Sequence, residues 1–248
     1  MSLMRICFDP LISRARRAEG LRAQRSGQFG DCPILYGFSP AVVPTPTDWP
    51  AFVHPTGYWF LDAPRDWRPP VALSAFLAAG PPPVYVGFGS MRNRQPQVVT
   101  ALVVEALERA GQRGVLHSGW DGLAELRLPE TIFPVDSIPH DWLFPRMAAI
   151  VHHGGAGTTA AALRAGRPAV VVPFFADQPF WARRVYELGV GPYPLPRARL
   201  TAARLADAIT AAVYDPTMLE RAVALGERLR AEDGVSEAVR VLMRYWKA

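Results

Sequence analysis

Apolar and polar positions alternate regularly only from about residue 83 onward. Val84-Tyr85-Val86-Gly87-Phe88 is a short continuous apolar run of the kind that forms a strand buried on both faces. Over residues 96 to 110 the apolar positions Val99, Leu102, Val103, Ala106 and Leu107 repeat near every 3.6 residues, one face of a helix. Further strands are expected at 114–117, 131–135, 148–152 and 169–172, and amphipathic helices at 201–214, 217–230 and 236–246. Strands alternating with helices imply right-handed βαβ units, hence a parallel sheet covered on both faces, an α/β fold. The first 80 residues differ. An Arg-rich stretch at 11–26 reads as a helix, and Ile34-Leu35-Tyr36 and Gly57-Tyr58-Trp59-Phe60-Leu61 read as short strands in Pro-rich surroundings. Prolines at 40, 44, 46 and 50 favour extended chain poor in hydrogen bonds, so this region reads as a connector and not a self-sufficient domain.

Composition narrows the classes. Half of the 248 residues are hydrophobic, which fits a globule with a sizeable core. The longest apolar runs fall short of the roughly 20 residues that cross a bilayer, and no signal peptide is visible. Cys7 and Cys32 are too few for a disulfide framework, so reduced thiols and a cytoplasmic location are expected. The net charge of +5 is carried almost wholly by scattered arginines. That argues against nucleic acid and is compatible with an anionic ligand or peripheral contact with a membrane surface.

The candidate chemistry centres on Val151-His152-His153-Gly154-Gly155-Ala156-Gly157-Thr158-Thr159, which an apolar run enters and a helix-permissive run leaves. Strand, glycine turn and helix together aim free backbone N–H groups at an anion, and the glycines admit a ligand close to the backbone. Thr158 and Thr159 offer hydroxyls, and His153 a proton or a positive charge. It is no P-loop, because no Lys follows the glycines, and it lacks dinucleotide spacing. A plain glycine turn is the alternative, which the two histidines at a strand's carboxyl end count against.

Gly87-Phe88-Gly89-Ser90 could supply a second wall of a diphosphate site, although as a dinucleotide fingerprint it fails, since Arg92 takes the third glycine position. Asp177 and Gln178 follow another strand. They either cap the next helix or grip sugar hydroxyls with a carboxylate and an amide. Ser137-Ile138-Pro139-His140-Asp141-Trp142 and His117-Ser118-Gly119-Trp120 are further strand ends, where core packing competes with a base-stacking role for the aromatics. His54 reads as a packing residue in the connector. No His/Cys cluster has metal-ligand spacing, and no Gly-x-Ser-x-Gly elbow is present.

Taken together, these motifs resemble the GT-B glycosyltransferases of the sterol, macrolide and glycopeptide group. The resemblance is carried by Ile138-Pro139-His140-Asp141-Trp142-Leu143-Phe144-Pro145, His152 to Thr159, Pro173-Phe174-Phe175 with Asp177-Gln178 and Trp181, and Gly189-Val190-Gly191-Pro192. Upstream, Gly57-Tyr58-Trp59 and Gly87-Phe88-Gly89-Ser90-Met91 match the same group. Sterol 3-β-glucosyltransferases and their bacterial relatives are especially similar.

The resemblance implies a Rossmann-like, doubly wound donor domain at 63–248, preceded at 1–62 by a remnant of an acceptor domain and linker. It implies a UDP-sugar donor, with TDP-sugar as the lesser alternative, and no cofactor or metal. Gly89, Ser90, His153, Gly155, Ala156, Gly157 and Thr158 would hold the diphosphate. Ser137, Ile138 and His140 would hold the nucleobase, and Asp177 and Gln178 the hexose. Transfer would be inverting, to a hydroxyl of a small hydrophobic acceptor. The general base is expected in an N-terminal half that this chain does not carry, so the chain reads as a fragment or a truncated product. The first alternative is a nucleotide-sugar-binding module, inactive alone or completed by a partner chain; a sugar-nucleotide epimerase ranks third. An apolar surface facing the absent half would favour self-association.

Overall fold

The computed structural model describes residues 13–20, 32–88, 96–117 and 128–246. Its centre is a five-stranded, wholly parallel sheet made of β3 (Val84–Gly87), β4 (Gly114–His117), β5 (Ile132–Val135), β6 (Ile150–His152) and β7 (Ala169–Val171). Two short strands upstream, β1 (Ile34–Tyr36) and β2 (Val53–Pro55), form a separate parallel pair. The spatial order of the main sheet is β5-β4-β3-β6-β7. The chain therefore winds outward from β3 through β4 to β5, returns beside β3 as β6, and winds the other way to β7. Crossovers on opposite sides of this reversal leave a crevice at the carboxyl ends of β3 and β6, the place where open parallel sheets take ligands. Gly87 and His152 are register partners there.

The helices are α1 (Val71–Ala78), α2 (Pro96–Arg109), α3 (His140–Leu143), α4 (Ala156–Ala165), α5 (Gln178–Glu187), α6 (Ala202–Tyr214), α7 (Pro216–Ala231) and α8 (Gly234–Trp246). The pleat of the buried strands divides their side chains between two cores. Val84, Val86, Val151 and Val170 meet α2 and α6 through Val99, Val103, Leu205 and Ile209. Tyr85, Ile150 and Val171 meet α4, α5 and α7 through Ala162, Leu163, Val185 and Leu225.

Strand and helix bounds from β3 onward agree with the hydrophobic pattern to within about two residues. Upstream the structure differs. Residues 57–61 are not a strand; the strand is Val53–Pro55, which pairs with Ile34–Tyr36. Tyr58 and Phe60 of this stretch pack into the core, whereas Trp59 is half exposed and Leu61 almost fully exposed. Helix α1 was hidden by its flanking prolines. Of the helix expected over 11–26, residues 13–18 are helical, and the remainder of that stretch lies outside the described residues except for 19 and 20, which form a turn. His54 belongs to strand β2, not to irregular connector, and its Nε2 lies 3.2 Å from the Tyr245 hydroxyl of α8.

Candidate functional site

Strand β6 ends in two histidines that do different things. His152 is fully buried, and its Nδ1 accepts the Gly154 N–H at 3.0 Å. The proton must then sit on Nε2, which has no hydrogen-bond partner among the described residues. Burial, reinforced by the neighbouring His153 and His140, pushes its pKa down to about 3, so it is a neutral wedge beneath the turn. His153 is half-buried and lies on the outside of the turn. Burial lowers its pKa, against which the Asp177 carboxylate acts, and its Nδ1 is buried without a partner among the described residues.

Two glycines make this arrangement possible. Gly154 has φ of 89°, and a Cβ there would meet Val171 Cγ1 at 2.8 Å and the Gln178 carbonyl oxygen at 3.1 Å. At Gly155 a Cβ would stand 2.5 Å from His153 Nε2, so the missing side chain is what lets the imidazole lie over the helix start. Helix α4 begins there with no side-chain cap. Its first backbone bond runs from the Thr159 N–H to the Gly155 carbonyl, so by helix geometry the N–H groups of Ala156, Gly157 and Thr158 precede any intrahelical acceptor. Ala156 and Gly157 are exposed, and a Cβ at Gly157 would meet nothing within 4 Å. The opening is therefore flanked by N–H donors, the positive end of a helix dipole and a titratable ring, the elements of an anion site. Thr159 is not one of them. Its buried hydroxyl donates back to the Gly155 carbonyl at 2.9 Å, leaving Thr158 as the half-exposed threonine.

The loop after β7 locks against this cradle at the contact between Gly154 and Gln178. Gln178 is buried, and its Oε1 accepts the N–H groups of Phe174 at 2.8 Å and Phe175 at 3.2 Å. That clamp folds the loop back tightly enough to hold Ala176 at φ of 57°, a left-handed conformation that costs a non-glycine residue roughly 1 kcal/mol. Asp177 precedes α5, but its carboxylate makes no capping bond; Oδ2 accepts the Trp181 indole N–H at 2.8 Å. The capping role is thus not the one the carboxylate fills. Gln178 shapes the loop through its carbonyl oxygen, a task that its residue type alone did not reveal.

The remaining strand ends extend the same edge. Ser137 is exposed and Ile138 half-buried just past β5. The His140 ring stacks on Phe144 with centroids 4.1 Å apart and meets Tyr85 edge-on. Burial, with His117 nearby and against the pull of Asp141, pushes its pKa down to about 4. It is thereby part of the packing under the site as well as beside Ile138. Gly89 and Ser90 lie outside the described residues, as do Ser118, Gly119 and Trp120.

A cavity of about 400 Å³ opens beside Ala156 and Gly157, walled by Phe38, Tyr58, Trp59, Phe60 and Trp181. A larger one of about 870 Å³ runs along the flank of α4 between residues 60–64 and Arg164, Arg167 and Arg230. Those arginines are held in place: Arg164 pairs with Asp62 at 2.5 Å, Arg167 donates to the Pro145 carbonyl, and Arg230 donates to the Arg164 carbonyl. The smaller cavity, not the larger, adjoins the cradle. Among the described residues no group of three or more His, Cys, Asp or Glu gathers around a point that could hold a metal ion, and no helix is long and apolar enough to cross a membrane.

Comparison with known proteins identifies the fold and the family. The sterol 3-beta-glucosyltransferase UGT80A2 of Arabidopsis thaliana is 43% identical over 220 residues, covering 88% of this chain and 34% of the relative. The sterol 3-beta-glucosyltransferase of Emericella nidulans is 43% identical over 248 residues, covering 94% of this chain and 18% of the relative. The chain thus spans a third or less of the length of these two relatives. Among solved structures, the glycosyltransferase of kitacinnamycin superposes with a TM-score of 0.76 at 23% identity, over 97% of this chain and 62% of that one. The calicheamicin glycosyltransferase CalG4 superposes with a TM-score of 0.71 at 19% identity, over 99% of this chain and 66% of that one. The fold is therefore that of GT-B glycosyltransferases, of which the chain covers part. Residues 117–244, just over half of the chain and including the whole cradle, match the family described as Erythromycin biosynthesis protein CIII-like, C-terminal domain, and the chain belongs to that family.

Proposed function

We propose that this chain is the donor-binding half of a metal-independent, inverting glycosyltransferase that takes a UDP-sugar such as UDP-glucose and delivers the hexose to a hydroxyl of a hydrophobic acceptor. The observation that carries this reading is the convergence at the β3/β6 reversal. The uncapped start of α4 lies under the His153 ring, and beside Ala156 and Gly157 opens a cavity large enough for a sugar ring, walled in part by the Trp181 indole that holds the Asp177 carboxylate. Relatives named as sterol glucosyltransferases support the choice of glucose and of an apolar alcohol. The glycosyltransferase VinC, 28% identical with a TM-score of 0.54 over 68% of this chain, was solved in complex with DTDP, which supports a nucleoside diphosphate in this fold.

In this proposal the diphosphate lies over the N–H groups of Ala156, Gly157 and Thr158 beside His153, with Gly89, Ser90 and Gly155 close to it. The uracil lies by Ser137, Ile138 and His140, and Asp177 faces the hexose from the loop that Gln178 shapes. The acceptor oxygen attacks the anomeric carbon from the side opposite the diphosphate. The bond from that carbon to the diphosphate oxygen breaks, and its electron pair leaves on the nucleotide. Charge thus grows on the oxygen facing the helix start, where fixed dipoles and a protonated His153 stabilise it without a metal. The acceptor proton passes to a base that these residues do not supply, so donor binding is the property by which this reading is tested.

Calorimetry tests this. UDP and UDP-glucose should bind in excess chelator, and uridine far more weakly. Binding that appears only when magnesium is restored would refute the metal-free cradle.

A further inference from the structure

We propose that Trp181 is a positioning residue for the donor sugar: its indole N–H fixes the Asp177 carboxylate at the rim of the cradle, so that the other carboxylate oxygen is presented to hexose hydroxyls. This rests on the donor reading above and adds to it the device that holds the sugar-facing group.

The argument begins with the start of α5. A residue in the position of Asp177 ordinarily caps its helix by accepting the N–H groups two or three residues on. Here the residue two positions on is Pro179, which has no N–H. The N–H three positions on, that of Phe180, goes instead to the Asp177 backbone carbonyl at 3.0 Å. The carboxylate is thereby released from capping. Trp181 stands four residues further, on the same side of the helix turn, and its N–H takes Oδ2 at 2.8 Å. Only 8% of Trp181 is exposed, so an indole N–H without this partner would be left poorly solvated.

Three further contacts make the carboxylate's position specific. Gln178 Oε1 clamps the preceding loop through Phe174 and Phe175, and Ala176 is held left-handed by that fold. Gln178 itself packs on Gly154, so the loop cannot slide along the cradle. The bond to Trp181 ties the Asp177 carboxylate to the cavity wall, and its charge acts against the lowering of the His153 pKa. The Trp181 ring meanwhile forms part of the wall of the cavity beside Gly157. One indole therefore serves both as a flat apolar surface and as the donor that orients a charged acceptor beside it. Carboxylates held by one oxygen and open at the other suit vicinal sugar hydroxyls, which need a strong, fixed acceptor.

A purely structural alternative exists, in which Asp177 is there only to satisfy a buried indole. Two measurements on the whole chain separate the two, using Trp181→Phe, which keeps an aromatic ring and removes the N–H, Asp177→Asn and the double variant. The first is the ratio of UDP-glucose to UDP affinity by calorimetry. It should fall about tenfold in Trp181→Phe and in Asp177→Asn, with UDP affinity by itself falling no more than the lower His153 pKa accounts for, and the ratio should fall no further in the double variant. The second needs no ligand: the ring signal of His153 should titrate at lower pH in each single variant and by the same amount in the double variant. An unchanged ratio and an unchanged His153 titration in Trp181→Phe would overturn the inference, as would effects of the two substitutions that multiply. If the parent chain binds neither nucleotide, the donor reading fails, and the His153 titration still decides whether Trp181 governs the Asp177 carboxylate. Should Trp181→Phe fail to fold, the indole N–H proton signal of the parent chain must shift on Asp177→Asn; its staying put would refute the bond on which the proposal depends.

Discussion

Replacing Gly155 with Ala tests the cradle most directly, because the change is small and its consequence can be worked from distances. Gly155 sits at φ −61° and ψ 142°, a backbone conformation that alanine adopts without strain. An alanine there gains a few tenths of a kcal/mol or more through the unfolded chain and loses a similar amount as a poorer helix cap. Global stability should therefore change by less than about 0.5 kcal/mol. The new methyl would stand 2.5 Å from His153 Nε2, about 1 Å inside ordinary contact, with Cε1 and Cδ2 at 3.3 and 3.4 Å. The ring, being the end of a rotatable side chain, swings away. If His153 binds the diphosphate, that displacement removes a hydrogen bond to a charged group, worth about 1.5–3 kcal/mol, or roughly 10- to 150-fold in affinity. Calorimetry with UDP, with uridine as the control lacking phosphate, reads the loss, and urea unfolding reads the stability. The same substitution in a His153→Ala background should add little, since the ring it displaces is already gone. Unchanged UDP affinity in a folded Gly155→Ala protein would refute the assignment of His153 to the diphosphate.

Other expectations follow from the same geometry. Gly154→Ala should destabilise the fold by about 2–4 kcal/mol, visible as a lower urea midpoint, because a left-handed backbone and contacts with Val171 and the Gln178 carbonyl oppose a Cβ there; a midpoint like that of Gly155→Ala would contradict this. Burial holds the folded-state pKa of His152 at about 3, below the unfolded 6.5, so the unfolded chain binds the extra proton and stability is lost as pH falls below 6.5. Between pH 6.5 and 5 this amounts to about 2 kcal/mol for His152, and His140, held at about 4, acts in the same direction; urea unfolding at pH 7 and 5 measures it, and equal stabilities would count against neutral buried histidines. His153, lowered by burial, is neutral before binding, and a diphosphate favours its protonated form. UDP binding should then take up a proton and tighten as pH falls from 8 toward 6, which calorimetry in buffers of different ionisation enthalpy detects.

The sheet was legible from the sequence because a strand buried on both faces must be apolar throughout. Val84–Gly87, Ala148–Val151 and Ala169–Val171 are such runs, and the helical stripe at Val99, Leu102, Val103, Ala106 and Leu107 contains adjacent apolar pairs that a strand would send to opposite faces. The strand, turn and helix of the cradle were legible too, since glycines set between an apolar run and a helix-permissive run mark such a turn. The strand order was not written in any segment. The β3/β6 reversal, which brings Gly87 beside His152, arises from long-range pairing between runs of similar composition. Only the tertiary structure separated the two histidines, turning His152 inward to hold the Gly154 N–H and leaving His153 outside. It likewise decided the roles of Asp177, Gln178 and Trp181. A carboxylate, an amide and an indole can cap, clamp, bind or pack, and their residue types do not choose among these. The choice came from partners that the fold delivered: the loop amides of Phe174 and Phe175 for Gln178, and the indole of Trp181 for an Asp177 that Pro179 had left without a capping donor. The apolar run at 57–61 was misread for the same reason: Tyr58 and Phe60 pack into the core without any strand pairing, and the strand that pairs with Ile34–Tyr36 is Val53–Pro55.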